Sequence, residues 1–384
     1  MKPEPPIFEK PEEEDKVCQL LKPIYGLKQS SRCWNKKFHK TATKLGFQRT
    51  RSDYCVYVMR RGKELAILLI WVDDILLACN SPSLKQEIKN HLKQDLEIND
   101  LGKLRYFLGM EINDVDGGIL LNQKRYATEL LAAAGMSDCK PVSTPMETGA
   151  SYVKRKEEEE KADGVTYRRI VGGLQYLCNT RPDIQYAVGV VSRFVSDPSA
   201  THWRAVKRIL RYIKGTVGYG LKYSTGGGIT LTGLCDADWA GDKQDRKSTS
   251  GYTFFIGGNP VSSSSRKQQT VSLSSGEAEY IALSAATQEA MWLRSMLTEL
   301  GFKPKEASKI WLDNQSALAV AKNPELHSKT KHIDIRHHFI RDCVENDVIQ
   351  VHYCPTKQMI ADILTKALPK HQFQELRAQL GVCG

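Results

Sequence analysis

Two adjacent aspartates, Asp73 and Asp74, lie between apolar runs in the segment LAILLIWVDDILLA at 65–78. The runs have the length and composition of β-strands, so the acidic pair predicts a hairpin turn that presents both carboxylates at a sheet edge. Carboxylate oxygens bind divalent cations, and a pair of such ions supports phosphoryl transfer. The alternative is a buried strand that ends in an acidic turn, although an unpaired carboxylate is costly to bury.

Four more acidic residues stand at the ends or starts of predicted elements in the C-terminal half. Asp236 and Asp313 each end a predicted strand. Asp362 opens the last helical segment, and Glu279 lies near the start of a long predicted helix. Each acid by itself is more simply explained as a turn or a helix cap, and Asp238 competes with Asp236. Carboxylates that converge from different elements would instead hold two metal ions for hydrolysis.

The elements that must position the first acidic pair lie in the N-terminal third. Helical patterns at 33–45 and 84–96 flank strand signals over 54–79. The Pro- and Glu-rich stretch 141–161 predicts a flexible link, and 164–223 is predicted to be mainly helical. The first sixteen residues are rich in Pro, Glu and Lys, which predicts disorder.

The last region, from the glycine run at 226–228 onward, shows a different alternation of elements. Strand signals lie at 229–235, 251–256, 270–274, 309–312 and 348–353. A long helix is predicted over 277–300, and further helical signals flank the last two strands. The resulting order is three strands, a helix, a strand, two helices, a strand and a helix. This order resembles that of the ribonuclease H fold.

Composition limits the class of protein and of partner. The chain has 384 residues, a formal net charge of +11 and a pI near 9.0, which favours a polyanionic partner such as nucleic acid or an anionic membrane. The longest apolar run, 65–72, is too short to cross a bilayer, so we expect no membrane association. Ten cysteines without a Cys-x-x-Cys pair predict reduced thiols in an intracellular protein.

A predicted amphipathic helix at 202–214 carries a basic face. Its cations are Arg204, Lys207, Arg208, Arg211 and Lys214. They would contact the phosphate backbone of a duplex, or they form an ordinary solvated face.

Several motifs, taken in order, resemble the reverse transcriptase and ribonuclease H of copia-type LTR retrotransposon Pol polyproteins. In the first half they are LLKPIYGLKQS at 20–30, the Asp-Asp turn, FLGMEI at 107–112 and LLNQ at 120–123. In the second half they are DADWAGD at 236–242, KSTSGY at 247–252, SSGEAEY at 274–280, DNQS at 313–316, KHIDIR at 331–336 and ADILTK at 361–366. The resemblance covers about 17–368, nearly the whole chain.

The resemblance implies an α/β protein, with an α+β palm and a helical thumb-like segment followed by a ribonuclease H-like domain with a mixed sheet. We expect a disordered start at 1–16, a partial palm at 17–140, a linker and thumb at 141–225, and the ribonuclease H-like domain at 226–384. The implied nucleotide-binding residues are Tyr25, Gly26, Leu27, Lys28 and Gln29. The implied location is a cytoplasmic virus-like particle or the nucleus.

The resemblance also implies cofactor, metal ligands and partners. The cofactor is Mg²⁺, with Mn²⁺ as a substitute, and the partners are RNA–DNA hybrid and template–primer duplex. The chain would also associate with the rest of Pol or with itself. The implied catalytic metal ligands are Asp73, Asp74, Asp236, Glu279, Asp313 and Asp362.

Glu277 and Glu279 compete for one ligand position, and local physics separates them. Ser274 and Glu277 have the spacing of a capping box, which predicts that Glu277 closes the start of its helix. The stretch 278–283 resembles the ribonuclease H segment whose glutamate binds metal, which implies that Glu279 is the ligand. One departure from the family is Ser263, where members usually carry Trp, and this loss would remove buried area if the position is internal.

We expect the polymerase site to be incomplete. In the family a third palm carboxylate lies upstream of a segment that resembles 1–8, so we expect the fingers and the first metal aspartate to be missing from this sequence. We therefore expect no processive DNA synthesis by this chain alone, and cleavage of RNA in RNA–DNA hybrids by the second site. The alternative is a non-catalytic remnant, decayed or domesticated, that binds nucleic acid.

Overall fold

The computed structural model describes residues 19–24, 26–322 and 331–384, the side chains of 331–337 excepted. Its internal contacts divide the chain into two units, Met1–Gly102 and Lys103–Gly384. β-Sheets flanked by helices form both units, so the predicted α/β class is confirmed. No helix in the described part of the chain is long and apolar enough to span a bilayer.

The N-terminal unit is a four-stranded antiparallel sheet with two helices packed on it. Its elements are α1 (Ser30–Lys44), β1 (Gln48–Arg49), β2 (Val56–Arg61), β3 (Glu64–Trp71), β4 (Asp74–Cys79) and α2 (Pro82–Asp95), and the sheet order is β1-β2-β3-β4. Tyr57 and Leu68 of the sheet are buried against Phe38 of α1 and Ile88 of α2. The predicted hairpin and its two flanking helices are therefore present.

The second unit begins with a hairpin and four helices. These elements are β5 (Tyr106–Phe107), β6 (Met110–Val115), β7 (Gly118–Asn122), α3 (Lys124–Ala133), α4 (Gly164–Leu177), α5 (Gln185–Ser192), α6 (Ala200–Lys214) and β8 (Gly220–Ser224). β8 was not predicted, since 164–223 was expected to be mainly helical. It pairs antiparallel with β7, so the hairpin and the helical segment share one sheet.

A mixed five-stranded sheet follows. Its elements are β9 (Leu231–Asp238), β10 (Thr249–Ile256), β11 (Asn259–Lys267), α7 (Ser275–Glu299), β12 (Ser308–Leu312), α8 (Gln315–Lys322), α9 (Lys331–Glu345), β13 (Ile349–Tyr353), α10 (Lys370–Gln379) and β14 (Val382–Cys383). The sheet order is β11-β10-β9-β12-β13, with β9 to β11 antiparallel and β12 parallel to β9 and β13. The predicted order of elements up to α10 is thus confirmed.

The position of the third strand was wrong. Residues 270–274 form a loop, and β11 occupies Asn259–Lys267 instead. The serine run at 262–265 has little intrinsic strand propensity, but it pairs along β10, so its backbone partners decide its conformation. Thr270 and Val271 favour a strand by residue type, but the loop that contains them leads directly into α7.

The end of the chain belongs to the core around the helices. β14 pairs with β8, outside the mixed sheet. Leu380 and Val382 are buried in the same cluster as Ile170 of α4 and Ile209 of α6. The contacts divide the chain at Gly102. The region 226–384 has a core cluster of its own, formed by the mixed sheet and its helices, and it also contributes residues to the cluster around α4 and α6. The boundaries at 140 and 225 stay predictions.

The stretch 141–161 is irregular, as predicted, but it is tied to α6 and is not a free link. Thr144 and Met146 are buried, and Glu147 accepts a hydrogen bond of 2.7 Å from Arg208. The carbonyl of Val153 lies 2.9 Å from Nε2 of the buried His202. These contacts come from residues far along the chain, which the local composition does not report.

Ser263 on β11 borders a cavity of about 240 Å³. The walls include Leu221 and Pro260, and Gln185 donates a hydrogen bond of 2.9 Å to the Ser263 hydroxyl. The other amide atom, Gln185 Oε1, is buried and has no hydrogen-bond partner among the described residues. The position is half-buried and borders a space that a larger side chain could occupy.

We expect Ser263→Trp to stabilise the second unit by about 1 kcal/mol, because the apolar area of an indole in the cavity outweighs the loss of the Ser263 hydroxyl as acceptor for Gln185 Nε2. Urea unfolding of the full chain measures the difference. Ser264→Trp is the matched control, because Ser264 is a half-buried serine of the same strand that does not line the cavity. If Ser263→Trp destabilises the protein as much as the control, the cavity does not accept the ring.

Candidate metal centre

Three of the predicted metal ligands meet at the middle of the mixed sheet. Asp236 lies on the central strand β9, and Asp313 directly follows β12, which runs parallel to β9. Helix α7 packs on β9 and brings Glu279 to the same place. One carboxylate oxygen from each residue lies within 4.8 Å of the other two. Asp236 and Glu279 are buried, and Asp313 is half-buried.

Asp362 joins this group through its neighbours. It does not open the final helix as predicted, because α10 begins at Lys370 after Pro369, and Asp362 lies in a separate 3-10 helix, Ile360–Leu364. Lys366 Nζ lies 2.8 Å from Asp362 Oδ1 and 4.0 Å from Asp236 Oδ2. The Thr365 hydroxyl donates a hydrogen bond to Asp236 Oδ2.

Sequence reasoning missed Thr365 and Lys366. Both stand in the quoted ADILTK motif, three and four residues after Asp362. Side chains at that spacing share one face of a helical turn, and this signal was available. Thr365 hydrogen-bonds to Asp236, and Lys366 forms an ion pair with Asp362.

Burial and the repulsion of neighbouring carboxylates raise the pKa of Glu279, Asp362 and Asp313. Burial raises the pKa of Glu279, and the negative charges of Asp236 and Asp313 raise it further. Burial, then Asp236, likewise raises the pKa of Asp362, and burial also raises that of Asp313. A cation placed among these carboxylates would favour their charged form.

The residues fit a hard divalent cation. Glu279 Oε2 is buried and, in the part of the chain that the structure describes, makes no hydrogen bond. An all-carboxylate donor set suits Mg²⁺ or Mn²⁺ rather than a softer metal. Asp236, Glu279 and Asp313 are therefore the candidate ligands, with Asp362 beside them.

Asp238, the rival of Asp236, has a different role. Its Oδ1 accepts the backbone N–H of Thr249 on the neighbouring strand β10. Burial raises the pKa of Asp238 to about 6, whereas that hydrogen bond and the charge of Arg193 lower it. It lies outside the group whose oxygens converge, so the structure favours Asp236.

Glu277 caps α7, as predicted. The Ser274 hydroxyl accepts the N–H of Glu277 at 3.2 Å. The Glu277 carboxylate turns back and accepts the N–H of Leu273 at 2.8 Å. It thus satisfies a backbone donor before the helix, whereas Glu279 faces the acidic group.

We expect Glu277→Ala to lower the free energy of unfolding by about 1 kcal/mol, because the N–H of Leu273 loses its partner and the helix start loses a favourable charge. Hybrid cleavage should fall by no more than a few fold. Denaturant unfolding and a cleavage assay on the same preparation measure both effects. Glu277→Gln keeps a carbonyl acceptor and should lose less stability. A loss of cleavage as large as that of Glu279→Gln would contradict the assignment.

In the N-terminal unit, Asp73 and Asp74 stand at the tip of the β3–β4 hairpin. Both are exposed, as the hairpin prediction required. Val72 has a φ of 54°, which a β-branched residue rarely adopts, and its carbonyl accepts the Trp34 indole N–H from α1. Among the described residues, no third acidic or histidine side chain converges with the pair.

The expected nucleotide-binding residues lead into α1. Tyr25 lies outside the described residues. Gly26 has a φ of 93°, and 27–29 connect it to the helix. Trp34 in this helix donates a hydrogen bond to the Val72 carbonyl, so the first turns of α1 lie beside the acidic hairpin tip. Its role in nucleotide binding stays a prediction.

The basic face of α6 is smaller than predicted. Arg208 bonds Glu147, and Arg211 Nε donates to the Lys140 carbonyl at 2.7 Å. Both are thus engaged by the irregular stretch beside the helix. The remaining exposed cations are Arg204, Lys207 and Lys214. Their contact with a duplex stays a prediction.

Comparisons with known proteins agree with this picture. The family model "Reverse transcriptase (RNA-dependent DNA polymerase)" matches residues 1–148. The retrovirus-related Pol polyprotein from transposon RE1 of Arabidopsis thaliana is 41% identical over 99% of this chain, which spans 26% of that polyprotein. The putative transposon Ty5-1 protein of Saccharomyces cerevisiae is 33% identical over 74% of this chain, which covers 94% of its length.

A solved structure shares the fold. The foamy viral protease-reverse transcriptase in complex with RNA/DNA hybrid aligns with a TM-score of 0.50 and 13% identity. The alignment covers 87% of this chain and 39% of the viral one.

Proposed function

Because this chain belongs to the retrovirus-related Pol polyprotein family of copia-type transposons, we propose that its second unit hydrolyses the RNA strand of RNA–DNA hybrids with divalent metal ions. The observation that carries the proposal is the convergence of Asp236, Glu279 and Asp313 within 4.8 Å. They come from a central strand, a helix and a neighbouring strand end, so the tertiary fold builds the group.

The residues of the chain have distinct roles in this hydrolysis. Asp236 and Glu279 would hold the metal, whose chemistry is to activate water and to stabilise the leaving oxygen. Asp313 is half-buried and would be the most solvent-accessible of these three ligands. Thr365 holds Asp236 in place by its hydrogen bond. Lys366 balances the charge of Asp362 and, being partly exposed, is available to a phosphate oxygen.

The partner follows from charge and from the chemistry of the site. A net charge of +11 favours a polyanion, and a group of carboxylates on hard metal ions suits phosphodiester hydrolysis. We propose RNA–DNA hybrid as substrate and template–primer duplex as a further ligand. Arg204, Lys207 and Lys214 on α6 are the proposed contacts to the backbone.

The N-terminal unit is proposed to supply part of a polymerase site. Asp73 and Asp74 are exposed carboxylates on a rigid hairpin and would bind metal at a primer end. Residues 26–29 lead into the helix beside them. Two carboxylates do not complete a two-metal polymerase site, so we propose hydrolysis, not DNA synthesis, as the activity of the 384-residue chain by itself.

The test is cleavage of a labelled RNA–DNA hybrid by the full chain in Mg²⁺ and in Mn²⁺, with EDTA as control. Single-strand cuts in the RNA, and none in a DNA duplex, are expected. A chain that binds the hybrid but never cuts it would support the alternative of a non-catalytic nucleic-acid-binding protein.

A further inference from the structure

Three large apolar side chains are exposed together beside the carboxylate group. Trp239 is 54% exposed, Val271 46% and Leu273 74%. The Trp239 indole N–H donates to the Ser272 carbonyl at 3.2 Å, which places the ring against the loop that carries the other two. We call Trp239, Val271 and Leu273 the indole platform.

Buried hydrogen bonds fix the loop that carries two of the three platform residues. The Ser272 hydroxyl donates to Gln268 Oε1 at 2.8 Å, and Gln268 Nε2 donates to the Ala278 carbonyl at 2.9 Å. Ser272 and Gln268 are both buried. The polar groups of the loop thus bond inward and its apolar side chains face solvent. Such an ordered apolar surface binds a partner without a further cost of ordering.

The platform adjoins the metal ligands through the chain itself. Trp239 follows Asp236 by three residues, so the two Cα atoms are at most about 10 Å apart. On the other side, the N–H of Leu273 bonds Glu277, two residues before Glu279 on α7. A strand of nucleic acid rises about 3.4 Å per base, so the platform lies within about three bases of the metal centre.

The β9–β10 loop beside Trp239 adds positive charge. Lys243 and Arg246 are exposed there. The acids of the same loop are already paired, because Lys267 lies 2.8 Å from Asp245 and Arg193 lies 2.9 Å from Asp242. An apolar surface flanked by cations complements a strand with sugar faces and phosphates, and it does not suit a neutral apolar peptide.

We propose that the indole platform seats the sugar faces of one strand of the bound hybrid, with Lys243 and Arg246 on the flanking phosphates. The proposal rests on the proposed function, since it needs the hybrid to be the ligand of the neighbouring metal centre. It assigns Trp239 as a substrate-positioning residue that contacts no metal.

The experiment measures affinity for a short fluorescein-labelled RNA–DNA hybrid by anisotropy, with Mg²⁺ and the full chain carrying Asp236→Asn to prevent cleavage. Adding Trp239→Ala should weaken binding about tenfold, whereas Trp239→Phe keeps most of the affinity. Trp292→Ala is the matched control. Trp292 is also an exposed tryptophan, but it lies thirteen residues beyond Glu279 on α7, roughly 20 Å along the helix.

Salt dependence separates the apolar contact from the charges. Replacing both Lys243 and Arg246 by Gln should reduce the slope of log affinity against log salt by about 2, and Trp239→Ala should leave the slope unchanged. Leu273→Ser changes the most exposed platform residue. It provides a second measurement of hybrid affinity if Trp239→Ala does not fold.

If the parent binds hybrid and both platform variants bind equally well, the platform is overturned while the proposed function stands. If neither the parent nor the unmodified chain binds hybrid, the proposed function fails and the platform fails with it.

Discussion

Asp236→Asn should lower the rate of RNA–DNA hybrid cleavage by about three orders of magnitude. Asp236 is buried on the central strand and belongs to the group whose oxygens lie within 4.8 Å of one another. A metal held there supplies both nucleophile activation and charge stabilisation, so one ligand removes a large part of the effect. Glu279→Gln and Asp313→Asn should lose a similar factor. Single-turnover cleavage at saturating Mg²⁺ measures the loss.

Asp362→Asn should also cost orders of magnitude, because it removes a carboxylate and releases Lys366 from its 2.8 Å contact. The matched control is Asp238→Asn. Asp238 lies on β9, the strand that also carries Asp236, but its oxygens do not belong to the converging group. It should cleave within a few fold of the parent. Normal cleavage by Glu279→Gln would show that the ligand assignment is wrong.

Asp183→Ala should destabilise the protein by about 3–5 kcal/mol, the largest stability effect that we expect. Asp183 is buried and accepts two hydrogen bonds of 2.9 Å from the guanidinium of Arg181. The Tyr212 hydroxyl donates to it as well, at 2.5 Å. Removing the carboxylate leaves a buried cation and a buried hydroxyl without their partner. Urea unfolding of the full chain measures the change.

The control for this effect is an ion pair at the surface. Arg155 and Asp197 are 3.0 Å apart, and the Asp197 side chain is 45% exposed. Asp197→Ala should cost less than about 1 kcal/mol, because water replaces the partner. Equal losses for the two variants would mean that the buried pair contributes no more than the exposed one.

The buried pair also explains why the end of the chain belongs with the helices. Arg181 precedes α5, and Tyr212 lies on α6. Arg377 of α10 donates to the Tyr212 hydroxyl at 3.2 Å. One polar network therefore joins the helical segment to the C-terminal helix, and a fragment that starts at 226 would lose both Arg181 and Asp183. The cleavage experiments accordingly use the full chain.

Local features of the sequence determined the elements and the identity of several side-chain roles. Apolar runs around Asp73 and Asp74 predicted the hairpin, since strand periodicity and a two-residue turn need only neighbouring residues. The three-residue spacing of Ser274 and Glu277 predicted the cap for the same reason. The sequence also predicted the order of strands and helices in the last region and the acidic residues at the ends of those elements.

Only the tertiary structure decided which groups meet. Residues 262–265 became a strand because β10 pairs with them, and the two-residue β14 exists because β8 lies beside it. Arg208 and Arg211 were removed from the basic face by contacts with residues sixty or more positions earlier. The convergence of Asp236 with Glu279 and Asp313, and the fixed exposure of Trp239, also depend on such distant partners. All of these outcomes have the same physical reason. Burial and pairing between distant segments leave no signature in the local sequence pattern of either segment.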